Sequence, residues 1–309
     1  MEAPPAVTLW PPDLLTVGDL THLALGNLLE SAGTPRAEPA GWLDPLAGRA
    51  VACFYDPPTT GDTVALGLAA NRLGMLAVML PRAELEIGSG EPLDDIARTY
   101  SAVAAALVTD AIPHRTLRTV ADAATVPVIN ARSDQQRPCQ ALADLLTLRE
   151  HFGALEGLAL AFVGDARDPI AASLLEGGAI AAMDVRVACP PTHAPDDLVE
   201  AAARILAEQN GGRVTVTDDP REAVAGADAV YTCAWTAHDS VPNPLVYQVH
   251  PGLMKLAQHH AVFMHCLPAR RGQEVSSHVI DGARSLVWRQ TANRVPMLEA
   301  ILDALVSAA

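Results

Sequence analysis

No stretch of the chain approaches the ~18 consecutive apolar residues that a membrane-crossing helix requires. The N-terminus carries no basic-then-apolar leader pattern. Both absences argue against a membrane protein or an exported one and leave a soluble cytoplasmic protein as the expectation. Cysteine is sparse and unpatterned. Five residues (Cys53, Cys139, Cys189, Cys233, Cys266), odd in number and without CxxC spacing, point to free thiols and away from a disulfide frame or a zinc site. Positive charge is short as well: 21 Lys and Arg stand against 36 Asp and Glu, a net charge of −15. Nucleic acid is therefore excluded as a partner, because phosphate backbones demand clustered cations. The histidines are scattered, and the adjacent pair His259-His260 cannot turn both rings toward one ion on a helix or strand. No metal and no cofactor is expected. Gly164-Asp165-Ala166 also lacks the further glycines of a dinucleotide fingerprint.

What remains is a 309-residue chain, half of it apolar, long enough for two domains that each bury a core. Strand patterns at 50–54, 76–80, 105–108 and 126–129 alternate with helical ones at 62–73, 93–103 and 115–124. An apolar-periodic helix at 14–29 and a Pro/Gly-rich connection to about residue 46 precede them. The second half repeats the alternation, with strands at 158–163, 185–188, 214–216, 229–232, 261–265 and 286–287, and helices at 170–181, 197–209 and 252–257. Such alternation predicts an α/β protein of two doubly wound parallel-sheet domains with helices on both faces. The boundary falls inside a helix at 140–152, giving domains 1–147 and 148–290, followed by a last helix at 291–309.

The most informative stretch is His265-Cys266-Leu267-Pro268-Ala269-Arg270-Arg271-Gly272-Gln273-Glu274-Val275, directly after the apolar run Ala261-Val262-Phe263-Met264. An apolar run that breaks into a Leu-Pro turn reads as a buried strand delivering its polar end to a cleft. A second stretch, Arg137-Pro138-Cys139-Gln140-Ala141-Leu142-Ala143-Asp144, opens a helix. Both resemble motifs of the ornithine carbamoyltransferases, and the likeness runs from about Val51 to Ala300. The resemblance implies the carbamoyltransferase fold, a C-terminal helix packed back on the first domain, a small amino-acid-like substrate, and a homotrimer with sites completed across subunits. It implies contact of Cys266 and the Leu267 carbonyl with the amino acid, and of Gln140 with the carbamoyl group.

Several positions depart from the family pattern. Arg137 stands where the motif has His. The loop Pro57-Pro58-Thr59-Thr60-Gly61-Asp62-Thr63 aligns with a phosphate loop whose two arginines are here Gly61 and Thr63, with the hydroxyls of Thr59 and Thr60 kept. Glu86 and Asp110 fall where the family has a Gln and an Arg for phosphate. Arg294 is the remaining basic residue of the donor side, with Arg271 a further candidate. On the acceptor side Asp168 and Pro169 replace an Asn pair, and Cys233 replaces the Asp that meets the substrate α-amino group.

These readings give Gln140, Cys266 and Arg294 as catalytic candidates and Thr59, Thr60, Arg137, Asp168, Cys233 and Leu267 as substrate-binding ones. Gln140 and Thr60 would polarise the transferred carbonyl, Cys266, as thiol or thiolate, and the Leu267 carbonyl would orient the amine, and Arg294 would take charge on the leaving group. An acidified donor site favours a divergent transferase whose donor and acceptor differ from carbamoyl phosphate and ornithine. The alternatives are a non-catalytic paralogue that binds a metabolite or partner subunit, and an ordinary ornithine carbamoyltransferase making citrulline.

Overall fold

The computed structural model describes residues 9–34, 46–55, 60–81, 90–235 and 244–309; of Thr60 and Asp62 only the backbone is described. By contacts the chain divides into two units, 1–133 with 295–309, and 134–294. The sequence pattern puts the boundary at 147/148, inside a helix. In the structure that helix belongs wholly to the second unit, and the last helix is the one that is divided.

The first unit carries four parallel strands, β1 (Ala50–Tyr55), β2 (Leu76–Pro81), β3 (Ala106–Ile112) and β4 (Val128–Ser133), in the order β2-β1-β3-β4. Its helices are α1 (His22–Gly33), α2 (Thr60–Arg72), α3 (Leu93–Ser101) and α4 (His114–Ala123). Phe54, Leu107, Ile112, Leu117, Val120 and Val128 form its core. The helix expected at 14–29 starts later, at His22, for two reasons. Leu14 pairs with β4, donating to the Val128 carbonyl and accepting from the Asn130 N–H at 2.9 Å each. Asp19 then draws the Leu15 and Thr16 N–H groups onto its carboxylate at 2.7 Å, so the chain turns before Thr21 caps α1 through the Ala24 N–H. The expected connection to residue 46 lies largely outside the described residues.

The second unit holds α5 (Pro138–Phe152), β5 (Ala159–Val163), α6 (Pro169–Ile180), β6 (Asp184–Ala188), α7 (Asp197–Asn210), β7 (Arg213–Thr217), α8 (Pro220–Val224), β8 (Ala229–Thr232), α9 (Pro251–Met254), β9 (Val262–His265) and α10 (Ser277–Ile280). The helix α11 (Val287–Ala308) begins in it and ends among residues grouped with the first unit. All pairs in the five-stranded sheet are parallel, in the order β7-β6-β5-β8-β9. Strands covered on both faces read as apolar runs: central β5 and β8 are buried throughout, and so is β9 at one edge, where the chain at Ser285 and Leu286 lies beside it, whereas β7 at the other edge is not. The strand expected at 286–287 is a brief pairing beside β9. The Leu286 N–H donates to the Phe263 carbonyl at 2.9 Å, and the chain becomes helical at Val287.

The strand order places the functional residues. After β5 the chain winds one way, to β6 and β7, then returns across the sheet to β8 on the other side of β5. The loops leaving β5 and β8 therefore diverge, and a crevice opens at the carboxyl ends of these strands. Asp165 and Asp168 follow β5, Cys233 and Trp235 follow β8, and Cys266 and Leu267 follow β9.

Candidate active site

The end of β9 is fixed from three sides. His265 and Glu274 are buried, and His265 Nε2 lies 3.1 Å from Glu274 Oε1. Since His265 Nδ1 accepts the Leu267 N–H at 2.8 Å, its proton must sit on Nε2 and point at Glu274. Glu274 Oε1 also takes the Arg270 N–H at 2.6 Å, which folds the loop back onto its own strand. Leu267 adopts the left-handed region at φ 49°, unfavourable for a branched residue unless the surroundings impose it. The bond from its N–H to the imidazole does so.

Two arginines converge on the next residue. Arg294 Nη2 donates to the Cys266 carbonyl at 2.9 Å, and Arg137 Nη1 approaches Cys266 Sγ at 3.7 Å. The thiol stays protonated all the same. Burial pushes Cys266 up to about 12, outweighing the nearby Arg137 guanidinium. The thiolate role considered from the sequence is thus corrected: at neutral pH Cys266 offers an S–H and a soft acceptor. Cys233 is likewise raised, by burial first and then by Asp168. Asp168 caps α6 by accepting the Ile170 N–H at 2.9 Å. Its carboxyl is raised by burial, with Arg137 pulling the other way. Arg137, Asp168, Cys233, Cys266 and Leu267 are therefore brought to one end of one sheet.

Gln140 and Arg137 lie three residues apart at the start of α5, on one helix face. The turn is pinned by Ser173 of α6, whose Oγ accepts the Arg137 N–H at 2.8 Å and donates to Gln136 Oε1. Gln140 is buried, and its Nε2 donates to Asp144 Oδ1 at 2.7 Å. Its Oε1 has no hydrogen-bond partner among the described residues. The expectation from sequence is a donor role toward a carbonyl; in this orientation the unpartnered atom is the oxygen. One N–H of the amide is committed to Asp144, and the amide atom without a partner is an acceptor.

Domain models of one family match nearly the whole chain. The model described as aspartate/ornithine carbamoyltransferase, carbamoyl-P binding domain, covers residues 12–150, and the Asp/Orn binding domain model covers 156–305. The chain belongs to the aspartate/ornithine carbamoyltransferase family. An ornithine carbamoyltransferase of Acidothermus cellulolyticus is 42% identical over 273 residues, 86% of this chain and 87% of its own. One from Methanothermobacter thermautotrophicus is 41% identical over 84% of this chain and 88% of its own. Among solved structures, an ornithine carbamoyltransferase from Pyrococcus furiosus superposes with a TM-score of 0.90 at 34% identity, covering 98% of this chain and 99% of that one.

Within the carbamoyltransferase frame, the donor-side expectations fare unevenly. Thr59 and Glu86 lie outside the described residues, and Thr60 is placed only as the first residue of α2. Asp110 is not a bare acid. Buried in β3, it holds Arg132 of β4 at 2.8 Å, so its charge is matched and does not count against a phosphate. Arg271 is engaged with Asp281 at the surface. Arg294 is buried and spans to the Cys266 carbonyl within the second unit. No group of three or more metal-ligating side chains occurs among the described residues, and no described helix is long and apolar enough to cross a membrane.

Sequence reasoning missed the residues that hold these side chains in place. Asp144 is fully buried and accepts from Gln140, from Gln290 Nε2 at 2.8 Å, and from the Tyr231 hydroxyl at 2.8 Å. Gln290 in turn accepts the His265 N–H at 2.9 Å. An acid inside an apolar helix segment was a visible signal for Asp144. Gln290, twenty-five residues from its partner, left no such mark.

Proposed function

We propose that the protein is a carbamoyltransferase of the ornithine type, moving the carbamoyl group of carbamoyl phosphate to the side-chain amine of ornithine. The amine attacks the carbamoyl carbon, the carbon–oxygen bond to phosphate breaks with its electron pair leaving on phosphate, and the nitrogen sheds a proton. The observation that carries this reading is the junction of Gln140, Arg137, Cys266 and Arg294 at the strand ends of the second unit, on a chain similar over most of its length to ornithine carbamoyltransferases.

In this reading Gln140 Oε1 accepts from the carbamoyl NH2 and fixes its plane, while the Leu267 carbonyl and Cys266 orient the incoming amine. Arg137 and Arg294 supply positive charge for the phosphate leaving group, and Thr59 and Thr60 keep the substrate-binding roles that the family resemblance gives them. Asp168 and Cys233 face the amino-acid end of the acceptor. We place the enzyme in the cytoplasm as a homotrimer. Val64, Leu68, Leu76 and Val78 are exposed on α2 and edge strand β2 of the first unit, apolar surface that a second copy would cover. Light scattering of the purified protein, giving a mass near 97 kDa as three times the 32.4 kDa chain, tests the trimer.

A second reading keeps the reaction class and changes the substrates. Gly61 and Thr63 carry no charge where the resembling phosphate loop has arginines, and the acceptor side has Asp168 and Cys233 in place of Asn and Asp. A donor less anionic than carbamoyl phosphate, or an acceptor without ornithine's α-amino-acid head, suits those residues better; loss of turnover altogether is the extreme case. Citrulline formation from carbamoyl phosphate and ornithine decides between them. Turnover at ordinary enzymatic rates supports the first reading, and none at saturating substrates sinks it.

A further inference from the structure

We propose that Asp144 is the positioning residue of the transfer site: it sets the sense of two side-chain amides, Gln140 toward the ligand and Gln290 toward the end of β9. This rests on the reading of Gln140 as the acceptor for the carbamoyl NH2.

One carboxylate oxygen, Asp144 Oδ1, takes N–H groups from both Gln140 (2.7 Å) and Gln290 (2.8 Å), and the other takes the Tyr231 hydroxyl (2.8 Å). An ionised carboxylate only accepts, so both amides must turn their NH2 inward. Gln140 is left with Oε1, buried and without a hydrogen-bond partner among the described residues, as the acceptor for a ligand. Gln290 is left with Oε1 on the His265 N–H, one residue before Cys266. The two halves of the site, the first turn of α5 and the strand end of β9, are thereby locked to one buried atom. Tyr231 has a different part. Its hydroxyl can donate or accept, so the network tolerates a change at Asp144 Oδ2 and resists one at Oδ1.

That asymmetry gives a test by exchange of donors and acceptors. Asp144→Asn keeps an oxygen at the shared corner and turns its NH2 to Tyr231, whose hydroxyl rotates to accept. Both glutamines hold their sense, and transfer should stay within about fivefold of wild type, because no hydrogen bond to the reacting group is lost. In the double variant Asp144→Asn with Gln290→Glu, the shared corner becomes an NH2. It donates to the carboxylate introduced at position 290, which still accepts the His265 N–H, and to Gln140, which must flip and present NH2 outward. Every buried hydrogen bond survives and one buried carboxylate is restored, at position 290 in place of 144, so the fold should hold and the thermal midpoint should lie nearer wild type than the single variant. Transfer should fall about a hundredfold or more, the scale of losing one aimed hydrogen bond at the reacting group, mainly in kcat.

Side-chain amide hydrogen exchange of Gln140, read by NMR, reports the same flip without turnover: slow in wild type and in Asp144→Asn, fast in the double variant. Equal activity and equal exchange in the two variants overturn the proposal. So does an Asp144→Asn variant as inactive as the double one, since charge and not amide sense would then matter. A wild type that makes no citrulline refutes the substrate reading, while the exchange measurement still decides the role of Asp144.

Discussion

Replacing Asp144 with Asn should change how stability depends on pH, and the structure sets both sign and size. Burial raises the Asp144 carboxyl from 3.8 to about 6, against the pull of Gln290, Tyr231, Gln140 and Arg294. That is roughly a hundredfold in proton affinity, or about 3 kcal/mol. The folded state holds this proton to higher pH than the unfolded chain does. Between about pH 4 and 6 it is therefore the folded state that binds more protons, and the contribution of Asp144 to stability falls as pH rises through that window. Above it, the ionised carboxylate weighs against folding by the full amount. Asn does not titrate. The stability of Asp144→Asn minus that of wild type should thus be most positive above about pH 7 and shrink as pH drops toward about 4; other groups with raised carboxyls, such as Asp13 and Asp168, cancel in the difference. Urea unfolding of both proteins at several pH values between about 4.5 and 8 measures it. Parallel curves, or a gap that widens toward acid, would refute the account of Asp144 as a desolvated carboxylate.

Three further outcomes follow from the same structure. The five cysteines are buried, and Cys53, Cys189 and Cys266 are pushed up to about 12 by burial first, so a thiol reagent at about pH 8 should label the native protein slowly and all five sites after denaturation; rapid stoichiometric labelling of Cys266 would restore the thiolate role. Arg132→Met leaves the buried Asp110 without its guanidinium and should cost about 3 kcal/mol in chemical denaturation, most of it regained on adding Asp110→Asn; an unchanged single variant would mean that the charge is met elsewhere. A Cβ at Gly212 would sit 2.7 Å from the Met183 carbonyl oxygen, a backbone atom that cannot step aside, so Gly212→Ala should destabilise by about 1–3 kcal/mol, read as a lower thermal midpoint.

The fold was legible because its signals are local and repeated. Short apolar runs such as Ala159–Val163 and Ala261-Val262-Phe263-Met264, spaced by helical stretches, read as strands covered on both faces, and crossover helices between them favour parallel pairing. Errors fell where a tertiary partner overrode the local pattern. Leu14 looks like the start of an amphipathic helix until β4 offers it two backbone bonds, and Leu286 looks like a strand until the next residue begins a helix.

For the site, what could be read was residue identity, and what could not was sense and pairing. The sequence shows that an acid stands at 110, but not that Arg132, twenty-two residues on, neutralises it. It shows Gln140 at a helix start, but not which end of the amide faces a ligand, because that is decided by Asp144 one turn later. Counting charges along the chain takes no account of such pairing: of Glu86, Asp110 and Asp62, the one whose side chain is described is already paired. The same reasoning moves weight to the positions where no partner can compensate. Gly61 has no side chain to replace an arginine's fork, and a backbone N–H at the start of α2 can hold a phosphate oxygen but brings only a fraction of a charge. An anion at the start of α2 would be held there by hydrogen bonds, which leaves Arg137 and Arg294 as the guanidinium charge proposed for the donor and predicts a donor KM that rises only modestly with added salt; a steep rise between about 50 and 300 mM NaCl would show further guanidinium charge in the grip.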